Sequence, residues 1–246
     1  MVIYLDDLNQ KDFKLFKDLA NTIYQHYPKG VQPMQEEYGK SEQIVKIYEI
    51  IGENIGQPKK KLGNHGVLWA SLLQLVKSKT SKSINGTTFG IVPGFSADLI
   101  LEQFEDSALI RVKRIAFAVS MLGPFYSICG IDETTIKLDS RYHAINVVTA
   151  SPFMEFKESF NIIKQSMVEI YPEYVFVPFD ICMLSVKETY SMCSIDEPGT
   201  VYSFLFNYLF RYYTHYYSRG DRSYGLERNP NIKVTLSPPP RQGRRL

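Results

Sequence analysis

Few residues of this chain could do chemistry, and they are scattered. There are four histidines, His26, His65, His143 and His215. No two lie at the i, i+3 or i+4 spacing that usually betrays a metal site. His143 is the best placed for catalysis. It falls in YHAINVVTA, an apolar run that reads as a strand, and the acids Asp132 and Glu133 fall in a neighbouring DET turn. A histidine facing a carboxylate across a cleft would make a general acid/base pair. The plainer reading is a hydrogen-bonded sheet histidine, and it is favoured because pattern alone gives no geometry. Cys129, in YSICGI, could be a nucleophile with a histidine beside it. A buried free cysteine fits that apolar run better.

The other candidate surface is FNYLFRYYTHYYSRGDRSYG, residues 206–225, where aromatics mix with arginines. Such a mixture could stack bases and hold phosphates. The polar residues decide how much of it is free. Ser203, Asn207, Arg211, His215 and Ser218 recur at steps of four, four, four and three, which is one polar stripe on a helix. Residues 200–218 are therefore expected to be a helix whose aromatics fill a core. That leaves Arg211, Tyr212, Tyr217, Arg219 and Arg222, at the helix end and beyond it, as candidate partner-binding residues. The tripeptide Arg219–Asp221 reads as a loop feature and not as an adhesion signal. The sequence contains no P-loop, G-x-G-x-x-G, H-E-x-x-H, G-x-S-x-G or EF-hand pattern. No cofactor and no metal is called for.

The elements that must position these residues belong to an ordinary folded chain. Hydrophobic residues make up 44% of the 246 and charged residues 22%, which excludes global disorder. A net charge of +2 commits the whole to no polyanion. The distribution is uneven. Residues 201–246 carry a net +6, which leaves −4 for residues 1–200. Three cysteines, none in a C-x-x-C pair, argue against a disulfide framework and a zinc knuckle. The opening MVIYLDDLNQKDFK lacks the basic and apolar regions of a secretory signal. No apolar run reaches the roughly 18 residues of a membrane span. The expected location is cytoplasmic, and the Asn85–Thr87 sequon reads as a plain turn.

Helices come first. Phe13, Phe16, Leu19, Ala20, Ile23 and Tyr27 form one stripe, and Ile44, Ile47, Tyr48, Ile51 and Ile55 form a second after an N-cap at Ser41. HGVLWASLLQLVKSK makes a third helix, with Trp69 packed. TSKSINGTTFGIVPG is a break. ADLILEQFE, LIRVKRIAFAVSML, FYSICGI, TIKL and YHAINVVTA then read as an antiparallel meander with turns at DSA, Gly123–Pro124 and DET. SPFMEFKESFNIIKQSMVEIYP returns to helix, capped by Ser151 with Pro152 at the first helical position. YVFVPFDICMLSV suggests one or two strands. The fold class is α+β: N-terminal helices packed with an antiparallel meander and two C-terminal amphipathic helices. A single domain is expected over 1–225, helical over 1–80 and sheet-containing over 88–225. Residues 226–246 read as a basic, proline-rich, partly disordered tail.

The run SMLGPFYSICGIDETTIKLDSRYHAINVVTASPFMEFKESFNIIKQSMVEIYPEY has a hairpin, a strand and a capped amphipathic helix, many Tyr, Phe and Ile, and no catalytic residue. In that character it resembles the bacterial immunity-type proteins that neutralise polymorphic or contact-delivered toxins. The resemblance spans residues 95–175 and carries over no residue's role. It implies a cytosolic, non-enzymatic inhibitor that binds a toxin protein. An acidic body would suit a basic toxin. The alternatives are an enzyme with a site around His143, Asp132 and Glu133, and, less favoured, nucleic-acid binding by the basic C-terminal end.

Overall fold

The computed structural model describes residues 10–55, 64–138, 141–192, 198–211 and 216–226. Its class is α+β, as expected. The leading helices are α1 (Gln10–His26), α2 (Glu36–Lys40), α3 (Glu42–Ile55) and α4 (Asn64–Thr80). Phe16, Leu19, Ala20, Ile23 and Tyr27 are buried as their spacing requires, while Phe13 faces water. Ser41 caps α3, its Oγ accepting from the Ile44 N–H at 3.3 Å. Trp69 of α4 packs against Phe95 and Phe117 of the sheet.

The sheet is a meander of β2 (Gly94–Glu105), β3 (Leu109–Ser120), β4 (Phe125–Leu138) and β5 (Arg141–Thr149), all antiparallel. β1 (Ile84–Gly86) adds an edge beside β2, so the expected break at 80–94 contains a short strand with the Asn85 sequon on it. β6 (Val175–Phe176) runs parallel to the start of β4, and β7 (Tyr216–Arg219) parallel to the end of β5. The turn at 106–108 forms as expected. The Asp106 carboxylate accepts from the N–H groups of Ala108 and Leu109, and those bonds hold its pKa below the usual value.

DET is not a turn. β4 runs straight through Asp132 and Glu133, because Arg111 and Arg114 of the neighbouring strand neutralise them. α5 (Lys157–Ile170) starts later than the Ser151 signal implied. Ser151 Oγ instead accepts from the Asp221 N–H, and a 3₁₀ turn at Met154–Phe156 precedes the helix. The expected strand after 174 is only the two residues of β6, followed by α6 (Phe179–Cys182).

The aromatic helix is real but short. α7 covers Val201–Leu205, capped by Thr200, whose Oγ1 accepts from the Ser203 N–H. A 3₁₀ turn at Leu209–Arg211 and strand β7 from Tyr216 stand where the expected helix over 200–218 would continue, and residues 212–215 lie outside the described residues. Asn207 helps end it: its Oδ1 accepts from the Leu209 N–H at 2.8 Å, in competition with the helical ladder. Two members of the polar stripe, Ser203 and Asn207, thus serve as part of a cap and as a stop. The aromatics do fill a core, since Tyr202, Phe204, Phe206 and Tyr208 are buried. Gly94 permits this: a Cβ there would lie 2.5 Å from the Phe206 carbonyl oxygen.

Candidate functional site

The register sorts the meander into two faces. On the first, Phe95, Ala97, Leu99, Ile115, Phe117, Tyr126 and Ile128 belong to the main core beneath α4 and α5. On the second, Ala116, Cys129, Ile131, Val148 and Ala150 lie under Phe179 of α6, with Leu209, Phe210 and Tyr216 around them. Both coverings stop partway along the strands. β2 is buried at its start and exposed at its end, and β3 is the reverse. The far half of the sheet projects from the helical layers.

Three rows cross the first face of this projecting end. Phe104, Arg111, Thr134 and Ile145 stand side by side on β2, β3, β4 and β5. Further in are Glu102, Lys113, Asp132 and Val147, and further out Leu109, Ile136 and His143. Phe104, Ile136 and Ile145 are 49%, 38% and 46% exposed. The charges between them are paired: Arg111 with Asp132 at 3.0 Å, and Lys113 with both Glu102 and Glu155. Arg219 completes the inner rim, donating to Thr149 Oγ1 and Glu155 Oε1, both at 2.8 Å. Burial alone would raise the Glu155 pKa. The Arg219 hydrogen bond, its own backbone N–H and Lys113 bring it down to about 2.

The second face of the same end carries a tighter cluster. Arg114 lies between Asp98, 3.2 Å from Nε, and Glu133, which accepts from Nη2 at 3.0 Å. Burial pushes the Asp98 pKa up to about 6, Arg114 opposes the shift and Glu133 adds to it.

The structure does not bring His143, Asp132 and Glu133 together. His143 stands opposite Ile136 and Asp132 opposite Val147, four residues apart along β5, or roughly 13 Å at strand rise. Glu133 points to the other face, and both carboxylates are engaged by arginines. Cys129 is buried among apolar side chains, which raises its thiol far from the thiolate a nucleophile needs. Of the five partner-binding candidates, Arg219 and Arg222 are held internally. Arg222 Nε donates to the Asp180 carboxylate at 2.7 Å. The segment after Ser218 is therefore anchored there, not a free basic tail, and Arg219–Asp221 is a strand end tied to Ser151. Tyr217 presents an exposed ring. Arg211 sits in the 3₁₀ turn. Tyr212 and the tail from residue 227 lie outside the described residues.

Sequence reasoning missed the projecting rows. A signal was present: Arg111, Lys113 and Arg114 crowd the first half of β3, while IAFAVS fills its second half. That change along one strand marks where it leaves the core. Among the described residues, no helix is long and apolar enough to cross a membrane. No protein family, curated protein or solved structure matches this chain.

Proposed function

We propose that this chain is a non-enzymatic protein-binding module whose docking face is the first face of the projecting sheet. The observation that carries the reading is the set of exposed apolar side chains, Phe104 on β2, Ile136 on β4 and Ile145 on β5, fixed on one face of the sheet beyond the end of the helical layer. Exposed apolar surface on a rigid platform gains free energy when a partner covers it. Ion pairs around it provide a polar rim, as at protein interfaces generally. Arg111, Lys113 and Arg219 are already matched by Asp132, Glu102 and Glu155, so the face has no strong field to attract a polyanion. This supports a protein over a nucleic acid.

The resemblance gives the reading its sharper form: an immunity-type inhibitor that binds a bacterial toxin in the cytoplasm and blocks it. The test is complex formation with the product of a toxin-like gene adjacent to its own, followed by hydrogen exchange on the complex. The expected result is a stoichiometric complex with new protection in β2, β3 and β5 at the projecting end. Failure to bind, or protection confined to the helices, overturns the reading.

A further inference from the structure

We propose that the outer edge of β2 over residues 102–105 takes a further strand, supplied by an extended basic segment of the docking partner. The partner is the one proposed above, and to that extent the inference rests on that reading. The edge itself follows from the strand pairing. β1 covers β2 only at residues 97–99, and just beyond it the Ser83 carbonyl accepts the Ile100 N–H at 2.9 Å. Ile100 therefore turns its backbone groups outward, to the side of β1. Near the other end of the strand the Asp106 N–H donates to the Leu109 carbonyl at 3.0 Å, so Asp106 turns inward, toward β3.

Backbone groups alternate in direction from one residue to the next along a strand. Counting back from Asp106, Phe104 and Glu102 turn inward, while Glu105 and Gln103 turn outward. The bulge between Ile100 and Glu102 makes the change of phase. Among the described residues no strand lies beside the outward groups of Gln103 and Glu105, and residues 102–105 are exposed. Open N–H and C=O groups at a sheet edge are a template for an added strand.

Charge selects which strand. Residues 102–106 read EQFED, three acids and no base. Lys113 and Lys137 hold Glu102 and Glu105 from within the sheet, and both acids stay about half exposed at the edge. A second copy of this chain would set the same acids against one another, which is unfavourable across paired strands. A strand carrying lysine or arginine is matched instead. Phe104 lies on the docking face, and Gln103 and Glu105 point to the opposite one. The strand that fits alternates apolar residues beside Phe104 with basic residues beside Gln103 and Glu105.

The experiment begins with amide hydrogen exchange on the free full-length chain. The Gln103 and Glu105 amides should exchange faster than the Phe104 amide between them. Protection of those two in the free chain would mean that the edge is already covered, and overturns the proposal. An NMR titration of the ¹⁵N-labelled chain with a short peptide alternating lysine and valine follows. Saturable binding of roughly millimolar affinity is expected, with new protection at the Gln103 and Glu105 amides. Gln103→Pro removes only an outward N–H, which an edge strand tolerates. It should lower affinity roughly tenfold for the peptide and for the partner alike, about the worth of one backbone hydrogen bond. Glu105→Lys leaves the backbone intact and should weaken the lysine peptide about threefold, the size of an exposed ion pair. Equal binding by a glutamate–valine peptide, or by the lysine peptide with every backbone nitrogen methylated, overturns the proposal. So does dimerisation of the chain that Gln103→Pro abolishes, because the occupant would then be a second copy. Ile145→Asp, on the far side of the docking face, should weaken the partner complex and keep peptide binding, so the edge and the docking face fail separately.

Discussion

The ring of Phe156 rests on the backbone of Gly130: a Cβ built at Gly130 would lie 2.5 Å from Cδ1 of that ring. Phe156 is fully buried, and the Arg219 guanidinium lies 5.1 Å from its ring centroid. Gly130 stands in register with Thr149, which stands in register with Arg219. The helical layer thus ends on a residue with no side chain, and the projecting platform begins one row further along.

Gly130→Ala should therefore destabilise the protein by about 2 kcal/mol, because a rigid, enclosed ring must move. Thermal unfolding would show it. Combining the change with Phe156→Leu should recover part of the loss, since the two positions touch. Additive effects would mean that the ring does not depend on the bare backbone beneath it.

Arg222 guards a buried charge. The Asp180 side chain is 5% exposed, and burial already raises its pKa against the pull of Arg222. Arg222→Ala should cost about 3 kcal/mol near neutral pH by leaving that carboxylate alone. Protonation of Asp180 relieves the penalty, so the difference from wild type should shrink as pH falls. Asp180→Asn in the same background should restore much of the stability. Chemical denaturation at several pH values measures both effects.

Asp98 should make the protein more stable in mild acid. Its pKa is about 6 in the fold and about 3.9 unfolded, so the native state binds the proton more tightly. Stability from this group is full below the unfolded value and is lost as pH rises toward about 6, by on the order of 2 kcal/mol. Asp98→Asn should flatten that stretch of the stability profile. A profile unchanged by the substitution would mean that Asp98 titrates normally.

The class and the leading elements were legible because helix periodicity and strand alternation report burial directly. Ile44, Ile47 and Ile51 of α3 are buried where the stripe put them. Legibility failed where a polar residue has two uses. Asn207 and Ser203 fit a helical stripe, yet one ends α7 and the other completes its cap. Asp132 and Glu133 look like a turn until Arg111 and Arg114 are brought beside them by strand pairing. Arg219 and Arg222 look free until Glu155 and Asp180 arrive from distant parts of the chain. In each case the missing information is a long-range partner, which local spacing does not encode. The projecting face had the same problem: Phe104 and Ile145 come to share one row, with Arg111 and Thr134 between them, only through the register of four strands.

The proposed docking face is tested most directly by the dissociation constant of the complex with the proposed partner, measured for the wild type and for Phe104→Asp/Ile145→Asp. Both side chains are about half exposed, so the substitutions should leave the melting temperature nearly unchanged. Affinity should fall by on the order of a hundredfold, as expected when central apolar contacts are replaced by unpaired charge. A doubly substituted protein that stays folded and binds as tightly as the wild type would contradict the assignment of that face.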